Sequence, residues 1–164
     1  MAARFRLAGV ISGAVVLLDQ LTKIYIDRTF ALYESVKVVP NFFHITYLRN
    51  KGAAFGILAD SSIRVPFFIV ASMVAVGVII WYLLQLGRDQ AVQQAALGLI
   101  LGGALGNLID RVRLGEVIDF LDVHWFRHHW PAFNVADSAI CVGVGMLLVS
   151  MWRAERKAKK SDQG

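Results

Sequence analysis

The sequence predicts an α-helical polytopic membrane protein, with four transmembrane helices and a small β-sheet cradle on its outer side. Of its 164 residues, 57% are hydrophobic and only 18% are charged, whereas soluble domains are nearer half apolar and a quarter charged. Four stretches are long and apolar enough to cross a bilayer, which takes about 20 residues each. These stretches cover about residues 7–25, 65–86, 91–109 and 135–152. All four should be helices, because a membrane-spanning backbone must satisfy its own hydrogen bonds.

The chain length favours one membrane-embedded domain, residues 1–164, because it leaves no room for a second sizeable core. The N-terminus is similar to a secretory signal, but Asp19 and Lys23 interrupt the apolar run and no Ala-x-Ala site follows it. We therefore expect a retained first helix. With four spans both termini lie on one side, and Arg4, Arg6 and a basic C-terminal tail favour the cytoplasm. Five basic residues of the first outer loop run against this rule: Arg28, Lys37, Arg49, Lys51 and Arg64.

Two loops face outward in this topology. The first, residues 26–64, contains β-branched and aromatic runs at 36–39 and 42–48, which are typical of strands. They predict a small sheet, within about residues 33–58, that rests on the outer membrane surface. The second outer loop, residues 112–134, contains three aromatic residues suited to the membrane interface: Trp125, Trp130 and Phe133.

The net charge of +5 does not predict nucleic-acid binding. The basic residues are not gathered on one amphipathic element, apart from a C-terminal tail that directly follows an apolar helix. A basic run in that position is typical of a cytoplasmic anchor beside anionic lipid. The tail consists of Arg153, Arg156, Lys157, Lys159 and Lys160.

Ionisable residues close to membrane-embedded helices are costly, and each one indicates a functional site. Asp19 and Lys23 lie four residues apart on one face of the first span. They could form a local ion pair where the helix enters the headgroups, or they could support a site. The sequence leaves both interpretations open.

The third span is rich in glycine, which lets helices approach closely. The glycines are Gly98, Gly102, Gly103 and Gly106. Asn107 and Arg111 follow, four residues apart and on the same face as Gly103. An Asn and an Arg on a closely packed face indicate a polar cavity.

Acidic residues near the outer ends of the spans are candidates for catalysis. Asp119 has apolar neighbours on both sides, which predicts partial desolvation and a raised proton affinity. Asn134 and Asp137 suit the cap and first turn of the fourth helix. Two carboxylates that share one proton can hydrolyse an amide, one as base and the other as acid. Asp110, Asp119, Asp122 and Asp137 are all candidates, and their spacing does not select a pair.

The chain resembles the prolipoprotein signal peptidase (signal peptidase II) family over nearly its whole length. Five motif blocks carry the resemblance: residues 19–23 (DQLTK), 49–56 (RNKGAAFG), 102–111 (GGALGNLIDR), 117–120 (VIDF) and 133–137 (FNVAD). Each block alone is weak, but five in order within so short a chain are highly specific.

The resemblance implies an aspartic endopeptidase of the bacterial inner membrane, with Asp119 and Asp137 as its catalytic pair. The implied substrate is a prolipoprotein that is cleaved just before a diacylglyceryl-modified cysteine, on the periplasmic side. The residues that would line or support the site are Asn50, Gly52, Asn107, Arg111, Asn134, Asp19 and Lys23. No metal or cofactor is implied. We expect membrane lipids and the lipidated substrate as partners, and a monomer.

Three other functions are compatible with parts of the sequence. His124 and His128 lie four residues apart, with His129 adjacent, and this spacing could serve a metallopeptidase. No His-Glu-x-x-His motif accompanies them, so interfacial histidines are the better interpretation. A proton or ion transporter should carry ionisable groups through the whole membrane thickness, whereas these acids cluster toward one side. A purely structural membrane protein would leave the pairing of Asp119 with Asp137 unexplained.

Overall fold

The computed structural model describes residues 5–52, 63–87 and 90–161. Within them, four helices are long and apolar enough to span a membrane, which confirms the predicted architecture. They are α1 (Arg6–Thr29), α2 (Arg64–Gln85), α3 (Ala91–Leu114) and α4 (Val135–Ser161). Helix α3 continues past the expected end near residue 109, so Asp110 and Arg111 belong to the helix itself. Arg4 and residues 53–58 of the predicted sheet region lie outside the described residues.

Helix α3 is the centre of the bundle and packs against the other three helices. The contacts run through glycine, as the sequence predicts. A Cβ atom at Gly98 would lie 2.8 Å from the carbonyl oxygen of Ala8 in α1. A Cβ atom at Gly103 would collide with the carbonyl oxygen of Ala136 in α4. By contrast, α2 exposes large apolar side chains along much of its length, as expected of a helix that faces lipid.

The described residues contain four strands, which form one antiparallel sheet in the order β1-β2-β3-β4. Strands β1 (Ser35–Val39) and β2 (Phe43–Asn50) come from the first outer loop, as predicted. Strands β3 (Val117–Trp125) and β4 (His128–His129) come from the second outer loop, for which the sequence predicts only interfacial aromatic residues.

The sheet lies on the end of the bundle opposite to the start of α1 and the end of α4. Ile26, near the C-terminal end of α1, is buried in one cluster with Tyr47 of β2 and with Ile118 and Phe120 of β3. Strand β3 follows the C-terminal end of α3 directly, and Phe133, just before α4, pairs with Leu121. The sheet therefore brings β3 and the start of α4 together.

We expect Gly143→Ala to lower the unfolding temperature of the protein in detergent. A Cβ atom there would lie 2.6 Å from the Ala96 carbonyl oxygen and 2.7 Å from Ile100 Cγ1, so α3 and α4 would have to separate. Overpacking of this kind usually costs about 1–3 kcal/mol.

Gly145→Ala is the matched control, because it lies two residues further along α4 with no heavy atom within 4 Å of a new Cβ. Alanine is the better helix former by about 1 kcal/mol, so this variant should unfold at the same temperature or slightly higher. Equal unfolding temperatures for the two variants would contradict the close α3–α4 packing.

Candidate active site

The site is built on a buried ion network beneath the sheet. Lys23 Nζ lies 2.9 Å from Asp19 Oδ2 and 2.9 Å from Asp110 Oδ2. The three side chains have exposed fractions of 1%, 0% and 1%, respectively. Asp19 and Lys23 do form the local ion pair, but protein encloses it, so it does not lie among the lipid headgroups. We call Lys23, Asp19, Asp110 and Gln20 the Lys23 network.

Hydrogen bonds from three elements, α1, α4 and β3, satisfy the carboxylates of the Lys23 network. Gln20 Nε2 donates to Asp110 Oδ1 at 3.0 Å and to Asp19 Oδ2 at 3.2 Å. The backbone N–H of Ala136 in α4 donates to Asp19 Oδ1 at 2.9 Å, and that of Ile118 in β3 donates to Asp110 Oδ2 at 3.2 Å. Asp110, one of the four candidate acids, thus ties α3 to β3. Buried carboxylates are tolerated only with such partners.

A reciprocal cap fixes the start of α4. Asn134 Oδ1 accepts a hydrogen bond from the Asp137 N–H at 2.9 Å, and Asp137 Oδ2 accepts one from the Asn134 N–H at 3.3 Å. Two N–H groups that the helix leaves unpaired are satisfied in this way, as in a capping box. The capping interpretation of the sequence is confirmed, and the cap holds the Asp137 carboxylate at the helix N-terminus.

Side-chain amides contact the carboxylates of both Asp119 and Asp137. Asn134 Nδ2 donates to Asp119 Oδ1 at 2.8 Å, and Asn50 Nδ2 of β2 donates to Asp119 Oδ2 at 3.0 Å. Asn107 Nδ2 donates to Asp137 Oδ1 at 2.7 Å, while its Oδ1 accepts from Lys23 Nζ at 2.9 Å. Asn107 therefore links the Lys23 network to Asp137.

Asp119 is in an environment that favours its protonated form. Its exposed fraction is 3%. Burial, together with the nearby negative charge of Asp137, raises the pKa of the Asp119 carboxyl from its usual 3.8 to about 7. The hydrogen bonds from Asn50 and Asn134 oppose this shift without cancelling it. A carboxyl group with such a pKa can hold a proton at neutral pH and release it during a reaction.

Asp119 and Asp137 share one cavity of about 510 Å³, which we call the aspartate cavity. Four other residues expected at the site also line it: Asn50, Gly52, Asn107 and Arg111. Asn107 and Arg111 thus line a cavity, as the sequence indicates, although apolar side chains such as Leu48 and Val117 line it as well. The Arg111 guanidinium lies over the Phe68 ring, 5.4 Å from its centroid.

The other three expected residues lie behind the cavity wall. Asn134 was expected to line the site, but it is completely buried and contacts both aspartates from the protein side. Its position follows from its role as the helix cap. Asp19 and Lys23 are buried as well. Sequence reasoning missed Gln20, which bridges the two carboxylates of the Lys23 network, and Trp130, Pro131 and Ala132, which line the aspartate cavity. Nothing in the spacing of these residues indicates their positions.

Asp122, the fourth candidate acid, lies apart from the aspartate cavity, with histidines around it. His124 and His128, the spacing considered for a metallopeptidase, do not oppose each other, because the segment is a β-hairpin in which His124 opposes His129. His128 opposes Trp125 and is exposed. A four-residue spacing places two side chains on one face in a helix, but this segment is not helical.

The profile of the signal peptidase II family (Peptidase_A8) matches residues 11–153. The chain belongs to the signal peptidase II family. Membership makes it a membrane aspartic protease, consistent with the two acids in one cavity. The chain is 64% identical over 148 residues to the lipoprotein signal peptidase of Geobacter sulfurreducens, covering 90% of this chain and 92% of the relative. It is 61% identical over 151 residues to that of Syntrophotalea carbinolica, covering 92% and 94%.

The fold also matches solved structures of this kind. One bacterial membrane enzyme superposes with a TM-score of 0.80 at 35% identity, over 89% of this chain and 87% of that one. A second superposes with a TM-score of 0.79 at 37% identity, over 88% and 91%. These matches support the arrangement of four helices and a small sheet for this member of the signal peptidase II family.

We expect Lys23→Met to destabilise the protein by about 3–5 kcal/mol, because it leaves the buried Asp19 and Asp110 carboxylates without their cation. Lys159→Met is the matched control. Lys159 also pairs with an acid four residues away, Glu155, at 2.7 Å, but the two side chains are 71% and 64% exposed. Its loss should cost at most about 1 kcal/mol. Unfolding in detergent measures both.

A second variant keeps this test informative if Lys23→Met does not fold. Adding Asp19→Asn to Lys23→Met removes one of the two unpaired charges and should recover part of the lost stability. The buried network would be contradicted if Lys23→Met were no more destabilising than Lys159→Met.

Proposed function

We propose that this chain removes the signal peptide from diacylglyceryl-modified bacterial prolipoproteins, cleaving immediately before the lipidated cysteine. The observation that carries the proposal is the pairing of Asp119 and Asp137 in one cavity, with the pKa of Asp119 raised to about 7. The names of its relatives, lipoprotein signal peptidases, supply the substrate class.

In the proposed mechanism the pair holds one proton, on Asp119, and Asp137 is the base. Asp137 takes a proton from a water molecule, whose oxygen attacks the scissile carbonyl carbon, while Asp119 gives its proton to the carbonyl oxygen. The resulting tetrahedral diol then collapses. The proton on Asp137 passes to the leaving nitrogen as the C–N bond breaks, and a diol hydroxyl returns a proton to Asp119. The starting protonation state is thereby restored, without a metal or a nucleophilic side chain.

The other residues of the site have binding or positioning roles in this proposal. Asn50 and Arg111 can hold the extended substrate backbone or the developing oxyanion, because both line the aspartate cavity and carry N–H donors. The backbone N–H of Gly52 donates to Asn50 Oδ1 at 3.0 Å, which fixes the amide whose Nδ2 contacts Asp119. Asn107 and Asn134 position the two acids, and Asp19 and Lys23 support Asn107 and the start of α4.

We further propose a multi-pass inner-membrane monomer whose termini are cytoplasmic and whose site faces the periplasm. Arg6, Arg153, Arg156 and Lys159 gather at the end of the bundle opposite the sheet, which supports cytoplasmic termini. The four α3 glycines that could form a dimer seam already pack inside the chain against α1 and α4, which supports a monomer. A substrate that is itself a membrane helix would enter from the surrounding lipid.

The experiment that tests the proposal is cleavage of a diacylglyceryl-modified prolipoprotein in detergent. We expect Asp119→Asn and Asp137→Asn each to lower the rate by at least about 100-fold, because each removes an acid–base group. Glu155→Gln, an exposed acid at the far end of α4, is the matched control and should retain the wild-type rate. A strong chelator should leave the wild-type rate unchanged at a temperature well below unfolding.

Folding of each variant should be checked by its unfolding temperature. Substantial activity in either folded aspartate variant would rule out the proposed pair. Loss of wild-type activity on chelation, with the protein still folded, would favour metal-dependent chemistry instead.

A further inference from the structure

Four ionisable side chains meet on one face of the outer sheet, away from the aspartate cavity. His44 of β2 opposes Asp122 of β3, and His124 of β3 opposes His129 of β4. Asp122 and His124 are two residues apart on the same strand, so their side chains point to the same face. Two adjacent cross-strand pairs are thus built from three imidazoles and one carboxylate. We call these four residues the histidine cluster.

The distances within the histidine cluster are close to those of a metal site. Asp122 Oδ2 lies 3.8 Å from His44 Nδ1 and 4.0 Å from His124 Nδ1. Candidate ligand atoms of these three residues all lie within 4.8 Å of one another. Ligands about 2.0–2.1 Å from a tetrahedral zinc ion are separated by roughly 3.3 Å, so small side-chain movements would complete the site.

His124 provides an independent indication of a ligand. Its side chain is only 5% exposed. The buried Nδ1 atom has no hydrogen-bond partner among the described residues. Leaving a buried polar atom without a partner costs about 1–3 kcal/mol, so native structures rarely do so without a reason. The unpartnered nitrogen faces the Asp122 carboxylate and the His44 ring.

The neighbouring rings hold these donors in place. The His44 and His124 rings meet edge to face, with centroids 4.2 Å apart, and the His129 ring stacks on His124 at 4.5 Å. His129 Nδ1 lies 2.8 Å from Asp122 Oδ1 and 3.1 Å from Oδ2, and Oδ2 is also 3.8 Å from His44 Nδ1.

We propose that His44, Asp122 and His124 bind a divalent transition-metal ion of the zinc type, with His129 orienting the carboxylate. Nitrogen and carboxylate donors in this number suit zinc, with water in the fourth position. The ion joins β2 to β3 and stabilises the sheet. The sequence predicts no metal for peptide cleavage. The proposed metal site takes no part in cleavage, since its three ligands lie outside the aspartate cavity.

Zinc binding to the full-length protein in detergent tests this proposal. The protein should carry a tag without histidine and be stripped of metal, and zinc should then be titrated against a chromophoric chelator. We expect the wild type to bind one zinc ion per chain. His44→Ala and Asp122→Asn should bind at least about 10-fold more weakly. His128→Ala, an exposed histidine of the same sheet outside the histidine cluster, is the matched control and should bind as the wild type does.

Thermal unfolding gives a second readout that does not depend on activity. Zinc should raise the unfolding temperature of the wild type and of His128→Ala, but not that of His44→Ala or Asp122→Asn. Asp122→Asn preserves the side-chain volume, so it serves if His44→Ala disturbs the sheet. The proposal is overturned if the wild type binds no stoichiometric zinc, if both cluster variants bind as tightly as the wild type, or if His128→Ala weakens binding equally.

Discussion

The burial of Lys23 is the constraint on which the rest of the site depends. An ammonium group enclosed in a membrane-embedded bundle requires both opposite charge and hydrogen-bond acceptors. Asp19, Asp110 and Asn107 supply them. The two carboxylates in turn require N–H donors, which come from Gln20 of α1, from β3 and from the first turn of α4. The Lys23 network can therefore be satisfied only when three helices and the sheet are assembled correctly.

This requirement also explains how the aspartate pair is placed. The backbone N–H groups that serve the Lys23 network belong to Ile118 and Ala136, each directly beside one of the two acids. Because hydrogen bonds hold these two N–H groups in place, they also position the start of β3, which carries Asp119, and the start of α4, which carries Asp137. Asn107 extends the same network to Asp137, and Asn134 contacts both acids. Each amide orients a carboxylate without adding charge to the cavity.

The surroundings of the two acids are unequal, and that inequality suits acid–base chemistry. Asp119 lies on a strand, where its buried carboxylate accepts hydrogen bonds from the side-chain amides of Asn50 and Asn134. Asp137 lies in the first turn of a helix, where the backbone dipoles and free N–H groups stabilise negative charge. A pair in unequal surroundings separates the role of proton donor from that of base. In the proposed mechanism Asp119 is accordingly the proton donor and Asp137 the base.

Much of the fold could be predicted because it is encoded locally. Hydropathy indicated the four helices, strand-forming runs indicated β1 and β2, and the four-residue cap at Asn134 indicated the start of α4. Strand β3 was missed because Asp119 and Asp122 interrupt its apolar residues, although they are the reason that the strand matters. The contact between Asn50 and Asp119 joins residues 69 positions apart, and no local pattern reports it. The same holds for His44 and Asp122, which only the sheet register brings together.

The measurement that tests the shared proton most directly is an infrared titration of the Asp119 carboxyl in detergent, between about pH 5 and about pH 9. The difference spectrum between wild type and Asp119→Asn isolates this one group. The account predicts a protonated carboxyl signal that persists to neutral pH and disappears as the pH rises through about 7. In an Asp137→Asn background the signal should disappear at lower pH, because the neighbouring negative charge is gone. A carboxyl signal already lost at about pH 5 in the wild type would contradict the account, since Asp119 would then carry no proton to donate at neutral pH.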